Sequence, residues 1–141
     1  MDEIYFYALS LLKRRDYTAS ELRAKVEAKF GTAPAEVIHQ LLEKKFLNDR
    51  RFAENYVAKK KHRGAAQVLE ELVARGIPAE MAAEIVSKEQ WPSLQQAVAA
   101  KMDDWKLRPP LDARHASRLF RALFRVGYDA DEIREELQKL Q

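Results

Sequence analysis

The side chains best spaced to bind a ligand together are arginines in one segment near the C-terminal end. They are Arg114, Arg118, Arg121 and Arg125, which we call the arginine stripe. On an α-helix this spacing places them within an arc of roughly 60° and along ~16 Å of the helix axis. Guanidinium groups bind carboxylates and phosphates through paired, planar hydrogen bonds. The arginine stripe is therefore a candidate surface for an acidic or phosphate-bearing partner.

Two interpretations of the arginine stripe stay open. No acidic residue lies between Asp112 and Asp129, and the apolar side chains of the segment fall on the opposite side of the helix. In the first interpretation the arginines therefore face outward and bind a partner. In the second they pair internally with acids of the last helix, which are Asp131, Glu132, Glu135 and Glu136.

A second concentration of positive charge lies in the middle of the chain. Its densest part, which we call the basic segment, consists of Lys59, Lys60, Lys61, His62 and Arg63. We predict that it ends the fourth helix. Its charges wrap around the helix axis, so periodicity does not select one face. Lys59, Lys60, Lys61 and Arg63 are candidate contacts to phosphates or acidic protein, with binding that weakens as salt rises. The alternative is a solvated helix end.

Residue types used in catalysis and metal binding form no recognisable site. The sequence has no cysteine, which removes disulfides, thiol catalysis and thiolate metal sites. His39, His62 and His115 fall on different predicted helices, and we expect them at the surface without a partner suited to a metal. There is no glycine-rich phosphate loop and no recognisable nucleophile motif. We therefore predict a protein that is not an enzyme and needs no cofactor or metal.

Composition and hydrophobic spacing predict an all-α protein. Of 141 residues, 47% are hydrophobic and 33% charged, and the net charge is +3, as in an ordinary folded domain. The apolar run at residues 4–12 is preceded by acids, unlike an export signal, and is shorter than the ~20 residues that span a bilayer. We therefore expect a cytoplasmic protein. Spacing of three to four residues between apolar side chains runs through nearly the whole chain.

Internal similarity predicts how these helices are grouped. Gly31, Gly76 and Gly127 each end a predicted helix, and each is followed by a short capped helix with an apolar i, i+4 pair. The glycines are 45 and then 51 residues apart, which indicates a structural repeat. We predict an elongated, curved array of three tandem three-helix units, at residues 1–47, 48–91 and 92–141. The alternative is a single irregular helical bundle.

Four aromatic side chains admit two roles. They are Trp91, Trp105, Phe120 and Phe124. Exposed aromatic rings stack on nucleic-acid bases, but their helical spacing favours positions in the core. We expect them in the core.

The middle of the chain carries a recognisable pattern. It comprises Asp49, Arg51, Phe52, Ala53, a basic stretch, Gly64, Val68, Glu71, Leu72, Arg75, Gly76 and Ile77. The chain resembles the RecX family of recombination regulators through this pattern and, in the first unit, through Tyr17, Glu21, Leu22, Phe46, Leu47 and Asn48. Ala65 stands where that family usually has proline, so the geometry at the start of the fifth helix is open. Within the pattern we interpret Asp49, Arg51, Phe52, Gly64 and Gly76 as structural residues.

The resemblance implies a regulatory protein of the RecA recombinase. RecX-like proteins bind the RecA–DNA filament, typically within its helical groove, and restrain filament growth, ATP hydrolysis and strand exchange in DNA repair, recombination and the SOS response. It also implies three tandem three-helix units. The expected partners are the RecA filament and single- or double-stranded DNA, and we expect DNA without RecA to be bound only weakly. We expect the protein to be a monomer and to contact these partners through the basic segment and the arginine stripe. The competing hypothesis is a stand-alone DNA-binding module that needs no recombinase.

Overall fold

A computed structural model describes residues 2–141 and contains helices but no strand in that range. In chain order these are α1 (Asp2–Arg14), α2 (Ala19–Phe30), α3 (Ala35–Glu43), α4 (Asp49–Lys60), a 3-10 turn (Lys61–Arg63), α5 (Ala65–Ala74), α6 (Ala79–Lys88), α7 (Leu94–Asp104), α8 (Ala113–Arg125) and α9 (Ala130–Gln138). The all-α prediction is confirmed. Within the same residues, no helix combines the length and the apolar composition needed to cross a membrane.

The apolar side chains form separate cores, each supplied by three consecutive helices. Leu22 and Leu41 are fully buried within the core of α1, α2 and α3. Val57 and Leu72 are fully buried in the core of α4, α5 and α6, and Leu119 in that of α7, α8 and α9. The extensive packing between helices also stays within these sets, which we call the first, second and third triplets. Burying one such side chain contributes about 1.5–3 kcal/mol. Since these side chains are buried within their own triplet, each triplet is stabilised mainly by its own helices.

The molecule exposes more surface than a compact protein of its mass. Its accessible surface is 9223 Å², whereas a typical monomer of 16.3 kDa exposes about 7500 Å². An excess of this size is expected when several small cores lie beside one another rather than merging into one. The elongated, curved shape and the unit boundaries stay predictions.

Side-chain caps begin several helices. Thr18 and Glu21 have the sequence spacing of a capping box, and the structure forms it: the Thr18 side chain accepts from the Glu21 amide while the Glu21 side chain accepts from the Thr18 amide. Asn48 caps α4 and Asp129 caps α9 through the same kind of bond. These side chains accept hydrogen bonds from amides that the first helical turn leaves without a partner. The helix starts are therefore fixed locally.

The sequence predicts that α4 includes the whole basic segment, but the helix ends before Lys61. α4 stops at Lys60, whose φ of −114° and ψ of 18° leave the helical range, and Lys61, His62 and Arg63 form a 3-10 turn. Gly64 follows with a φ of +84°, which favours glycine. The chain turns here because α5 begins directly at Ala65 and must fold back against α4. Ala65 thus takes the first position of the helix.

The expectation that four aromatic rings lie in the core is wrong for Phe124. Trp91, Trp105 and Phe120 pack partly buried against the cores, but Phe124 is 56% exposed. Its ring stacks on that of Phe120 at 5.8 Å between centroids. The helical turn angle places Phe124 between the buried face of α8 and the arginine stripe, so its ring stays largely exposed.

Candidate anion-binding surfaces

The start of α2 is held between two elements of the second triplet. The Asp49 carboxylate accepts a hydrogen bond of 2.8 Å from the Ala19 amide. A carboxylate at a helix N-terminus also interacts favourably with the helix dipole. The hydroxyl of the fully buried Thr18 donates a 2.7 Å hydrogen bond to the carbonyl of Arg75. Hydrogen bonds from the adjacent residues Thr18 and Ala19 therefore join the first triplet to the second.

Two further pattern residues support the same joint. Gly76 has a φ of +96°, and a Cβ there would collide with the side chain of Ser20. Arg51 donates hydrogen bonds to the carbonyls of Lys45 at 3.1 Å and Phe46 at 3.3 Å, which closes the chain after α3. These contacts support the structural role predicted for Gly76 and Arg51, as does the burial of the Phe52 ring.

A similar close approach joins the second and third triplets. A Cβ on Gly64 would collide with the carbonyl of Val126, and a Cβ on Gly127 would come within 3.0 Å of the Cβ of Ala66. The two backbones therefore touch where α5 begins and α8 ends. Glycine at residue 64 is required by both its φ and this contact, which supports its structural interpretation.

Two cations of the basic segment already have partners inside the molecule. The Arg63 guanidinium donates to both carboxylate oxygens of Glu71, at 2.6 and 2.8 Å, and the Tyr56 hydroxyl donates to the same carboxylate at 3.0 Å. The Lys61 ammonium lies 3.0 Å from Glu89. Because a paired charge is partly neutralised, Arg63 and Lys61 contribute less to an outward-facing patch than the sequence predicts.

The surroundings of Glu71 and Tyr56 shift the pKa of each side chain. Burial raises the pKa of Glu71, but the hydrogen bonds from Arg63 and Tyr56 outweigh it and hold that pKa below its ordinary value. Burial raises the pKa of Tyr56, and its bond to Glu71 raises it further. Each shift follows from which charged form its surroundings favour. Glu71 is therefore an ionised anchor that fixes the 3-10 turn against α5.

The arginine stripe faces outward along α8. Arg114, Arg118, Arg121 and Arg125 are all exposed. The acids of α9 bond elsewhere: Asp131 pairs with Arg134 at 3.0 Å, and Glu136 pairs with Lys139 at 3.0 Å. In the chain from residue 2 onward, no arginine of the stripe forms an ion pair with α9. The contacts therefore do not support internal pairing with the last helix, since Asp131 pairs with Arg134 while Glu136 binds Lys139 and Gln95.

One cation of the stripe is held by an aromatic ring. The Arg118 guanidinium lies 3.9 Å from the centroid of the Trp105 ring. Such a contact orients the guanidinium without removing its charge. Arg125 lines a recess beside Glu70 and Glu71 of α5. The stripe therefore runs from the third triplet toward the second.

Sequence reasoning named Lys59 and Lys60 but missed that they meet further cations between the first and second triplets. Arg14 and Arg15 at the end of α1 meet Lys59, Lys60 and Arg75 around a recess of about 410 Å³. We call these residues the basic cleft. Asp16 is the acid that lines it, and Phe52, Asn55 and Tyr56 line the remainder. The run of three cations at residues 13–15 is visible in the sequence, but its neighbours lie more than 40 residues away.

Two histidines have carboxylate neighbours that the sequence analysis did not assign. His39 lies 3.2 Å from Glu43, one helical turn later, and His115 lies 2.8 Å from Asp112. Both pairs are local contacts along a helix. Across the described residues, no group of three or more potential ligands could hold a metal ion.

Comparison with known proteins gives a consistent result. No family model matches the chain. It is 34% identical over 138 residues to regulatory protein RecX of Chromohalobacter salexigens, which covers 92% of this chain and 88% of the relative. Regulatory protein RecX of Leptothrix cholodnii is 30% identical over 138 residues, covering 93% and 85%. The crystal structure of RecX from Lactobacillus salivarius has the same fold, with a TM-score of 0.70 at 20% identity over 98% of this chain and 96% of that chain.

Proposed function

Because the chain belongs to the RecX family of regulatory proteins, we propose that it binds the RecA–DNA filament and inhibits its ATPase and strand-exchange activities. The observation that carries the proposal is the sequence relationship, 34% identity over 92% of the chain. The protein acts by binding, without catalysis and without a cofactor. It works in the cytoplasm as a monomer, in DNA repair, recombination and the SOS response.

The arrangement of charged surfaces supports this proposal. A recombinase filament presents protein and DNA in alternation along its groove, so a regulator that bridges them needs separated contact sites on a fixed frame. The basic cleft lies between the first and second triplets, and the arginine stripe lies on α8 of the third triplet. The close contacts at Gly64 and Gly76 restrict how the triplets move relative to one another. We propose that three tandem units form an elongated, curved body that spans turns of the filament.

The arginine stripe is suited to an acidic protein surface or to phosphates. Its guanidinium groups are exposed and lack carboxylate partners on α9. Arginine is enriched among the residues that dominate binding energy at interfaces. The exposed Phe124 beside the stripe adds an apolar contact. In the basic segment, Lys59 and Lys60 remain contacts in this proposal, with Lys61 and Arg63 secondary to them.

ATP hydrolysis by RecA on single-stranded DNA tests the proposal. Adding the full chain to preformed filaments should lower the hydrolysis rate in a dose-dependent and salt-sensitive manner. A DNA-dependent ATPase unrelated to RecA serves as the control and should be unaffected at the same concentrations. The absence of inhibition at every stoichiometry, even at low salt, would overturn the proposal.

A second candidate is a DNA-binding module that acts without a recombinase. The concentration of cations in the basic cleft and along the arginine stripe favours it. It predicts tight binding to bare DNA, with log affinity falling against log salt by about 0.7–0.9 per phosphate contacted. It also predicts equal inhibition of RecA and of the unrelated ATPase, because both would lose access to their DNA.

A further inference from the structure

The basic cleft gathers charge from three separate elements. Arg14 and Arg15 come from the end of α1, Lys59 and Lys60 from the last turn of α4, and Arg75 from the end of α5. Asp16 is the acid that faces these cations across the recess, and it also lies 3.9 Å from Arg51. The cations therefore exceed the acids in the recess, which creates a positive potential inside it.

Aromatic rings hold two of the guanidinium groups in place. Arg15 lies 4.1 Å from the centroid of the Tyr17 ring. Arg75 lies 5.0 Å from the Tyr56 centroid, and it also forms a long ion pair of 3.8 Å with Glu21. A ring face attracts a cation without neutralising it and without using its in-plane N–H donors. Both guanidiniums are thus ordered and still charged, and the length of the Arg75–Glu21 pair leaves N–H donors of Arg75 available to an anion.

Arg63 shows the contrast within the same triplet. Its guanidinium donates to both oxygens of Glu71. Its charge is therefore largely neutralised by a contact that holds the 3-10 turn. Lys59 and Lys60, a few residues earlier, form no ion pair within the described residues. The recess side of α4 therefore keeps its cations for an external ligand, while the opposite end of the basic segment is internally satisfied.

We infer that the basic cleft binds the phosphodiester backbone of a single-stranded nucleic acid. Ordered guanidinium groups whose charge is not fully neutralised match phosphate oxygens. The rings that line the recess are covered by Arg75, so they do not stack on bases and binding is independent of sequence. A single strand is flexible enough to enter a recess, whereas duplex DNA is stiff over ~150 base pairs. The inference rests on the proposed function: within the RecA–DNA filament, the ligand of the basic cleft is the DNA strand.

Binding of a fluorescently labelled oligothymidylate to the full chain tests the inference. The variant Arg15→Gln/Lys59→Gln should bind on the order of tenfold more weakly at low salt. Its slope of log affinity against log salt should fall by about 1.4, because two phosphate contacts are lost and each contributes about 0.7 on a single strand. The control Lys25→Gln/Lys29→Gln removes the same charge from α2 outside the cleft and should bind as the unaltered protein does. Far-UV circular dichroism checks that all three proteins are folded.

Protection of lysines in the unaltered protein gives a second measurement that needs no variant. Bound oligothymidylate should shield Lys59 and Lys60 from acetylation and leave Lys25 and Lys29 reactive. Equal affinity of the cleft variant and its control, or equal protection of all four lysines, would overturn the inference. Tighter binding of duplex than of single strand would also overturn it, as would equal competition by polyglutamate of the same charge.

The proposed function is tested separately in the same series. If RecA ATPase is inhibited but the unaltered protein does not bind oligothymidylate, the inference about the cleft fails and the proposed function stands. If the strand binds in the cleft but RecA ATPase is unaffected, the inference stands and the proposed function fails.

Discussion

The hydroxyl of Thr18 donates a 2.7 Å hydrogen bond to the backbone carbonyl of Arg75, 57 residues later in the chain. The same oxygen accepts from the Glu21 amide at 3.0 Å and so caps α2. One buried oxygen atom therefore begins a helix and joins two triplets. The position of the basic cleft depends on this joint, because its cations come from both sides.

Replacing Thr18 by valine tests the strength of the joint. Thr18→Val keeps the shape of the side chain but removes the cap and leaves the Arg75 carbonyl without its partner. We expect a loss of about 2–3 kcal/mol in the free energy of unfolding. Ser93→Ala is the matched control, since Ser93 caps α7 without an inter-triplet bond, and should cost about 1 kcal/mol. Urea denaturation measures both, and equal losses would show that the joint contributes nothing.

Two glycine-to-alanine substitutions separate backbone strain from steric contact. Gly31 has a φ of +77° and open space where a Cβ would lie, with no atom within 4 Å, whereas Gly76 has a φ of +96° and faces Ser20. Gly31→Ala should cost about 1–2 kcal/mol from the left-handed conformation alone. Gly76→Ala adds a clash of about 1–3 kcal/mol, so this variant should be less stable than the Gly31→Ala variant by that margin. Thermal or urea unfolding of the two variants provides the comparison, and a Gly76 variant no weaker than the Gly31 variant would contradict the close contact.

The Glu71 network predicts a pH dependence of stability. The pKa of Glu71 is lowered in the folded protein, so its contribution is present above its ordinary value of about 4.3 and disappears as pH falls through the lower folded pKa. Glu71→Gln should reduce the free energy of unfolding by about 1 kcal/mol at pH 7, allowing for partial exposure. The difference between variant and unaltered protein should shrink in acid. Urea unfolding across this range measures it; a difference that stays constant down to acid pH would refute the assignment.

Charge reversal on α8 tests the arginine stripe. Arg118→Glu/Arg121→Glu should raise the concentration needed for half-inhibition of RecA ATPase on the order of tenfold or more, because repulsion replaces attraction. Lys25→Glu/Lys29→Glu makes the same change in net charge on α2 and should have little effect. If the stripe variant leaves both ATPase inhibition and DNA binding unchanged, the stripe is a solvated face.

Local features of the fold could be predicted from the sequence. The capping box at Thr18 and the glycine ends at residues 31, 76 and 127 depend on a few neighbouring residues. Hydrophobic spacing likewise locates the buried face of each helix, because burial follows the helical period. Phe124 lies outside this rule because it sits at the border of the buried face, where spacing alone does not decide exposure.

The basic cleft could not be predicted, since it depends on how the triplets meet. Arg15 and Lys59 are 44 residues apart, and no periodicity relates them. The end of α4 differs from the prediction for a related reason: the contact between Arg63 and Glu71 forms only once α5 has folded back. Which cations are neutralised and which remain available is therefore a property of tertiary structure.

Titrating the labelled full chain against RecA alone, single-stranded DNA alone and the RecA–DNA filament tests the central claim most directly. We predict that the filament binds most tightly, because it offers acidic protein and phosphate to two surfaces at once. Equal affinity for bare DNA and for the filament, with no binding to RecA, would contradict the account and favour a DNA-binding module that needs no recombinase.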